Sequence, residues 1–372
     1  MSRSARSFLL LFASLAILLG LRAFAGEESP VMAAAPWAST PPAEARAATP
    51  PPVPAASGSL AIDERLRIET PVTQGLVTLY PVVDAKTPER PDGEFQLLKE
   101  ALEAKSLTVE EAGGGTVPTL MVRNTGDKPV LLVAGDVVKG GKQDRVITSD
   151  FVVAADGTPV DVAVNCVEHG RWSAGATGHS FGWGGRGEAS LKKVVQVSKN
   201  QSATWNEVET SNGRKAALVR SKGKASEAAK LAPESGTYVA SLENEAVLEE
   251  VNPATASLIT KLQANKGVVG VVVAVGDSIT TAELFGHPAL FERSREDLVR
   301  SFVLDGVGAE AKGDAPEATE AAAFLREALQ ASRVSEAEQG DARKVEMDSV
   351  NSSAFETTNK DGSRIHFNAY KK

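Results

Sequence analysis

The chain has 372 residues, 42% of them hydrophobic and 24% charged, with a formal net charge of −8. That balance fits a globular protein and excludes a wholly disordered chain, a collagen-like repeat and a multi-span membrane protein. A single cysteine, Cys166, excludes an intrachain disulfide, a CxxC redox pair and a cysteine-rich zinc site, and the four histidines show no common zinc spacing.

Residues 1–25 read as a secretory signal peptide. Arg3 and Arg6 supply the positive start, Phe8 to Leu21 is an apolar run too short for a normal membrane span, and Ala23-Phe24-Ala25 is a small-x-small cleavage site. With no cysteine at the site and no Arg-Arg pair, the general secretory route is expected rather than a lipoprotein anchor or the twin-arginine route. The expected location is exported, periplasmic or secreted, with no membrane span after cleavage. Residues 1–25 hold three arginines and no acid. Without them 37 basic side chains face 48 acidic ones, a charge of −11, which disfavours a nucleic-acid partner. Residues 26–59 are rich in Ala and Pro, lack apolar periodicity and read as a disordered linker. Residues 60–372 read as one domain, because no second linker of that kind interrupts them.

Strands are expected at Gly75–Val83, Leu107–Glu110, Thr119–Arg123 and Val130–Val133, then at Arg145–Val153 and Val160–Glu168 across an Asp156-Gly157 turn. Val268–Val275 is the most hydrophobic run and reads as buried on both faces, with Ser278–Leu284 after it. Val345–Val350, Phe355–Thr358 and Arg364–Tyr370 close the chain, the last two as a hairpin. Helices are expected at Glu94–Lys105, Glu188–Val208, Tyr238–Glu250, Ala254–Gln263, Pro288–Leu304 and Pro316–Ser332, and loops at 209–236 and 306–315. Hairpin-like pairs mixed with helices predict an α+β fold: a mixed, largely antiparallel sheet packed with several helices.

Residues 135–187 contain 11 of the 32 glycines, with Cys166, two histidines and two tryptophans. That composition suits a pocket rim or a set of tight turns. In Val160–Glu168, alternation places Val160, Val162, Val164, Cys166 and Glu168 on one face, and the valines mark that face as buried. A carboxylate on such a face needs a partner. Arg171 follows it, and antiparallel pairing across the turn would bring Arg145 or Ile147 close to Cys166–Glu168. The Gly135–Lys142 segment is no phosphate loop, since the spacing, the Ser or Thr and the following helix are all missing. Gly140, Gly141 and Lys142 form either a small anion-binding nest or a hairpin turn. Residues 173–187 read as a lid or as a disordered loop. Alternation sends His169 away from Cys166, so Cys166 reads as a buried hydrophobe rather than a nucleophile. Glu168, His169 and His179 lack a recognised metal-ligand spacing; no metal or cofactor is expected.

Three elements, Leu131-Leu132-Val133-Ala134-Gly135-Asp136, Lys142-Gln143-Asp144-Arg145-Val146 and Cys166-Val167-Glu168-His169-Gly170-Arg171-Trp172, resemble the ADP-ribosylglycohydrolase- and rhodanese-phosphatase-associated domain family. The similarity runs over roughly Thr70–Asp305 and extends to the terminal hairpin. It implies a site built from Asp136, Gln143, Arg145, Glu168, Arg171 and Trp172. In such a site Arg145 and Arg171 would bind a phosphate or carboxylate, Asp136 or Glu168 would serve as general acid or base, Gln143 would contact the ligand, and Trp172 would stack on a base or sugar. The expected ligand is small and polar or phosphorylated, ADP-ribose-like among the choices. The alternative is a non-catalytic cell-envelope binding or interaction module in which the Arg/acid cluster is structural.

Overall fold

Three antiparallel-dominated sheets carry the structure, a computed structural model that describes residues 59–86, 95–113, 118–173, 178–232, 236–310 and 313–372. The expected signal segment and nearly all of the expected linker lie outside the described residues. The described residues from Ser59 to Lys372 belong to one compact unit.

The largest sheet is built on the Val-rich strand. Val268–Val275 pairs on one side with Val77–Asp84 and on the other with Ser278–Phe285. Beyond Ser278–Phe285 come Arg364–Lys371, Ser352–Thr358, Ala342–Asp348 and Ser332–Gln339, each antiparallel to the last. Leu66–Ile68 and Leu60–Ala61 finish the opposite edge. Helices cover both faces, which is why the central strand is apolar throughout. Glu245–Leu262 and Pro288–Gly306 bury Val251, Leu258, Leu298 and Phe302 with Val271 and Val273. Ala318–Leu329 buries Phe324 and Leu325 with Val272 and Ala282. Burial of such aliphatic side chains contributes roughly 1.5–3 kcal/mol each.

The second sheet runs in the order Phe181–Arg186, Asp136–Gly140, Arg145–Ile147, Val160–Cys166, Thr119–Asn124, Leu107–Glu111. Its register aligns Arg145 with Cys166 and Ile147 with Val164, which decides between the two neighbours that antiparallel pairing across the turn leaves open. The third sheet joins Phe151–Val153, Val130–Leu132 and the short Gln96–Leu97, the last in parallel. The fold is α+β.

Several element expectations need correction. Arg145–Val153 is two strands in different sheets, broken where Asp150 turns inward. Residues 209–236 are not a loop throughout: the helix Gln201–Ser221 continues through them and Ala225–Lys230 follows. That helix buries Ser211, Asn212 and Lys215 between Val208 and the pair Ala216 and Val219, so polar residues interrupt the apolar period of its inner face. Glu188–Val208 is not one helix; Lys199 takes a left-handed φ of 50° and Asn200 caps a new start by accepting from the backbone N–H groups of Ser202 and Ala203. Glu245–Leu262 runs unbroken through Pro253. Within the Gly-rich segment, Phe181–Arg186 is a strand. Ser332–Gln339 is also a strand, exposed along nearly its whole length, with Val334 bulged out of register.

Buried charges join the sheets. Asp150 Oδ1 accepts from the Ala134 N–H (2.9 Å) and Oδ2 from Thr357 Oγ1 (2.8 Å), and His366 Nδ1 lies 2.8 Å from Oδ2. His366 Nε2 is 3.3 Å from Glu283 Oε1, and the other Glu283 oxygen pairs with the Lys192 ammonium. All four side chains are buried. Lys192 passes beside Gly135, where φ is +91° and a Cβ would fall 2.2 Å from its Cγ, so this position needs glycine. Burial pushes His366 down, but the two flanking carboxylates prevail and raise it from 6.5 to about 9.

Because His366 holds its proton more tightly in the folded than in the unfolded chain, its contribution is full below about pH 6.5 and is lost as pH rises through about 9. Chemical denaturation across that window is expected to show falling stability for the native chain. His366→Gln should remove that slope and cost about 3–5 kcal/mol at neutral pH, the scale for breaking a buried ion pair.

Candidate functional site

The site grows from one tight connection. Asp136–Gly140 and Arg145–Ile147 pair antiparallel, and Gly141 turns the chain between them with a φ of +51°. A Cβ on Gly141 would lie 2.3 Å from Phe181 Cζ, so neither the backbone nor the space admits a side chain. The Gly140 and Gly141 carbonyls are thereby aimed at Arg171, at 3.3 and 2.6 Å. Of the two readings of this turn, the hairpin holds: its carbonyls meet a cation, while the Gly140 N–H serves Asp144 (3.0 Å).

Arg171 is clamped on every side. Its Nε donates to Glu168 Oε1 (2.9 Å) and its Nη2 to Glu168 Oε2 (2.6 Å), a two-pronged pair. Nη2 also reaches Asp144 Oδ1 (3.3 Å), and Nη1 donates to the carbonyls of Gly141 and Ser173. The carboxylates are bound in turn. Glu168 Oε2 accepts the Asp144 N–H (3.0 Å), and Asp144 Oδ2 accepts the Thr237 hydroxyl (2.7 Å). The Glu168 pair raises Arg171 further above its ordinary value. Burial pushes Asp144 up, with the neighbouring Glu168 charge adding to it against the Thr237 hydrogen bond.

These groups form one wall of a cavity of about 520 Å³. Trp183, Val239 and Ala240 supply its apolar surface, and Lys139 and Glu243 pair across its rim at 2.6 Å. Trp183 comes from Phe181–Arg186, opposite Val138 in register.

Two of the expected residues, Glu168 and Arg171, line this cavity. The others do not. Asp136 is buried elsewhere, with Oδ1 2.9 Å from Arg186 Nε, while Arg186 also donates to Ser294 (3.0 Å). Burial pushes Asp136 up and Arg186 opposes it. Arg145 is buried beneath the turn, giving Nη1 to the Gln143 carbonyl (2.7 Å), and burial lowers it. Gln143 is buried and reaches the His169 carbonyl at 3.4 Å. Trp172 is 53% exposed, with the Lys142 ammonium 5.3 Å from its ring, and is not on the cavity wall. His169 meets the Trp205 ring edge-on at 4.4 Å, and His179 lies 3.9 Å from Glu111, so neither joins Glu168. Cys166 is fully buried and its backbone is bonded on both sides by Gln201; burial raises its thiol, with Arg145 opposing.

The Glu168–Arg171 clamp, three residues apart and closed on the Gly140–Gly141 turn, ties the second and third of the similar sequence elements into one structural unit. The ARG and Rhodanese-Phosphatase-superfamily-associated Protein domain matches residues 65–370. The chain belongs to this family. The family domain thus spans the large sheet, the clamp and the terminal hairpin together. No curated protein and no solved structure matches the chain.

Sequence reasoning missed Asp144, Trp183, Thr237, Lys139 and Glu243 on this domain's cavity wall. Asp144 sat between two residues that were singled out, and Trp183 lay in the Gly-rich segment; only the strand pairing distinguishes Trp183 from Trp172. Thr237 and Glu243 come from a distant stretch with no local signal.

Because Arg171 is the counter-charge for two buried carboxylates, Arg171→Ala should destabilise the fold by about 2–4 kcal/mol in urea denaturation. Trp172→Ala, at an exposed position, should stay within about 0.5 kcal/mol.

Proposed function

We propose that this is an exported ligand-binding module whose cavity takes a polar, hydroxyl-bearing ligand against Trp183. The observation that carries the reading is the polarity of the wall. Every N–H of Arg171 is engaged, whereas among the described residues Glu168 Oε1 and Asp144 Oδ2 each have a single hydrogen-bond partner. This wall is therefore rich in acceptors and poor in donors, and the Lys139 ammonium at the rim is paired with Glu243. A carboxylate with spare lone pairs takes hydroxyl or N–H donors from a ligand, and an indole face suits the apolar face of a sugar ring. In this reading the Arg/acid cluster is the structural support of the site, the role that the non-catalytic alternative gave it. The ribose diols of an ADP-ribose-like ligand suit such a wall; its phosphates find no free guanidinium there. Asp144 takes the place expected of Asp136 beside Glu168.

Export rests on the apolar run Phe8–Leu21 and the Ala23-Phe24-Ala25 site, with residues 26–59 as the tether that sets the domain off from the N-terminus.

Two measurements test this reading. Titration with neutral saccharides, free ribose and ADP-ribose, followed by tryptophan fluorescence, should find saturable quenching by hydroxyl-rich ligands. Trp183→Ala should abolish binding, read by isothermal titration because the variant lacks the reporter ring, and should cost about 1–2 kcal/mol of stability, since the half-buried indole also packs on the core. Binding that survives Trp183→Ala removes the cavity from consideration. For export, N-terminal sequencing of the protein recovered outside the cytoplasm should begin at Gly26; an uncleaved chain in the cytoplasm would sink that part of the reading.

A further inference from the structure

A second concavity, of about 540 Å³, has the opposite polarity. Four cationic side chains line it, Lys193, Arg214, Lys371 and Lys372, against the carboxylates Asp277, Asp305 and Glu320. Lys372 is paired with Asp348 (2.8 Å) and Arg214 with Glu188 (2.8 Å). Asp305 accepts the backbone N–H groups of Ala189 (2.7 Å) and Ser190 (3.4 Å), and Glu320 accepts the N–H of Glu317 (3.1 Å).

Arg214 shares its carboxylate with a second cation. Its Nη2 donates to Glu188 Oε2 (2.8 Å), but Glu188 is already neutralised by the buried Lys215 ammonium and takes hydrogen bonds from the Ser211 and Tyr238 hydroxyls. The Arg214 Nε is buried and has no partner. A buried guanidinium N–H left unbonded is costly, so this guanidinium is under-satisfied, and its side chain is still 28% exposed where it lines the cavity. Lys193, one helix away, meets only the Lys371 carbonyl (2.5 Å) and no carboxylate among the described residues.

We propose that this cavity binds an oxyanion, the phosphate or carboxylate group of a small ligand, between the Arg214 guanidinium and the Lys193 ammonium. Both are the groups that recognise such oxygens, the guanidinium through directed N–H pairs and the ammonium as a compact charge. The nearby Asp305 does not expel the ligand as an ordinary carboxylate would. Burial and the Glu188 charge, against Arg214, raise it to about 7, so near neutrality much of it is uncharged. This inference does not rest on the cavity beside Trp183.

The test is isothermal titration of the whole chain with inorganic phosphate, pyrophosphate and citrate at constant ionic strength, with chloride as the screening control. Saturable binding of at least one of the three is expected, and the phosphate and citrate arms separate the two sources of the oxyanion. Lys193→Gln lies at a partly exposed position and should weaken binding about tenfold with no change in the unfolding midpoint, as loss of one charge-assisted contact does. Arg214→Lys keeps a charge beside Glu188 but loses the Nε–H, and should weaken binding similarly. Asp305→Asn, which keeps an oxygen for the Ala189 N–H and removes the charge, should bind more tightly. Heats no greater than those with chloride, or wild-type affinity in both Lys193→Gln and Arg214→Lys, would overturn the proposal. So would loss of anion binding in Trp183→Ala, which would place the anion in the other cavity.

Discussion

A protonated imidazole held between two carboxylates is the constraint on which this molecule turns. His366 comes from one of the last strands of the chain, Glu283 from the strand beside it, and Asp150 from the break between the second and third sheets. The three must meet in a dry interior, where an unmatched charge costs several kcal/mol. Each sheet is therefore positioned relative to the others by a charge that has nowhere else to go. Apolar burial holds the layers together, but it tolerates sliding; the charge network does not. Asp150 shows the effect on the backbone, since the strand that alternation predicts from Arg145 to Val153 gives way at the residue that must face His366.

The same logic separates two kinds of arginine. Arg171 spends every N–H inside the fold, on Glu168, Asp144 and three carbonyls, and the buried Arg186 faces Asp136 and Ser294. Arg214 shares its carboxylate with Lys215 and keeps a donor in reserve. Counting cations near a cavity is thus a poor guide to what the cavity accepts. Counting unspent N–H groups and unspent lone pairs is a better one: Glu168 and Asp144 offer lone pairs in one cavity, whereas Arg214 and Lys193 offer N–H groups in the other.

Much of the fold was legible because its strands obey simple patterns. Val268–Val275 reads as doubly buried and is; Val160–Cys166 alternates and sets Arg145 against Cys166. The part of the helix Gln201–Ser221 beyond Val208 was harder to read for a physical reason: its buried face mixes Ala216 and Val219 with Ser211 and Lys215, which meet Glu188, and Asn212, which meets the Thr237 carbonyl, so polar residues interrupt the apolar period. The pairing of Glu168 with Arg171 was open to inference from a carboxylate on an apolar face. The partner of Asp136 was not, because Arg186 lies fifty residues away on a strand disguised by glycine. Trp172 and Trp183 stand eleven residues apart in one unusual segment, and composition alone gives no reason to prefer the second. Pairing with Val138 does.

The strand Ser332–Gln339 raises a different matter, that of self-association. It closes one edge of the large sheet, with backbone groups unpaired on its outer side. An exposed edge of eight residues is a template on which another chain can add a strand. This edge carries its own defence: Arg333, Glu336 and Glu338 place charge along it, and the bulge at Val334 breaks the regular spacing that an incoming strand would need. Solubility during folding is thus built into a segment that contributes almost nothing to the core.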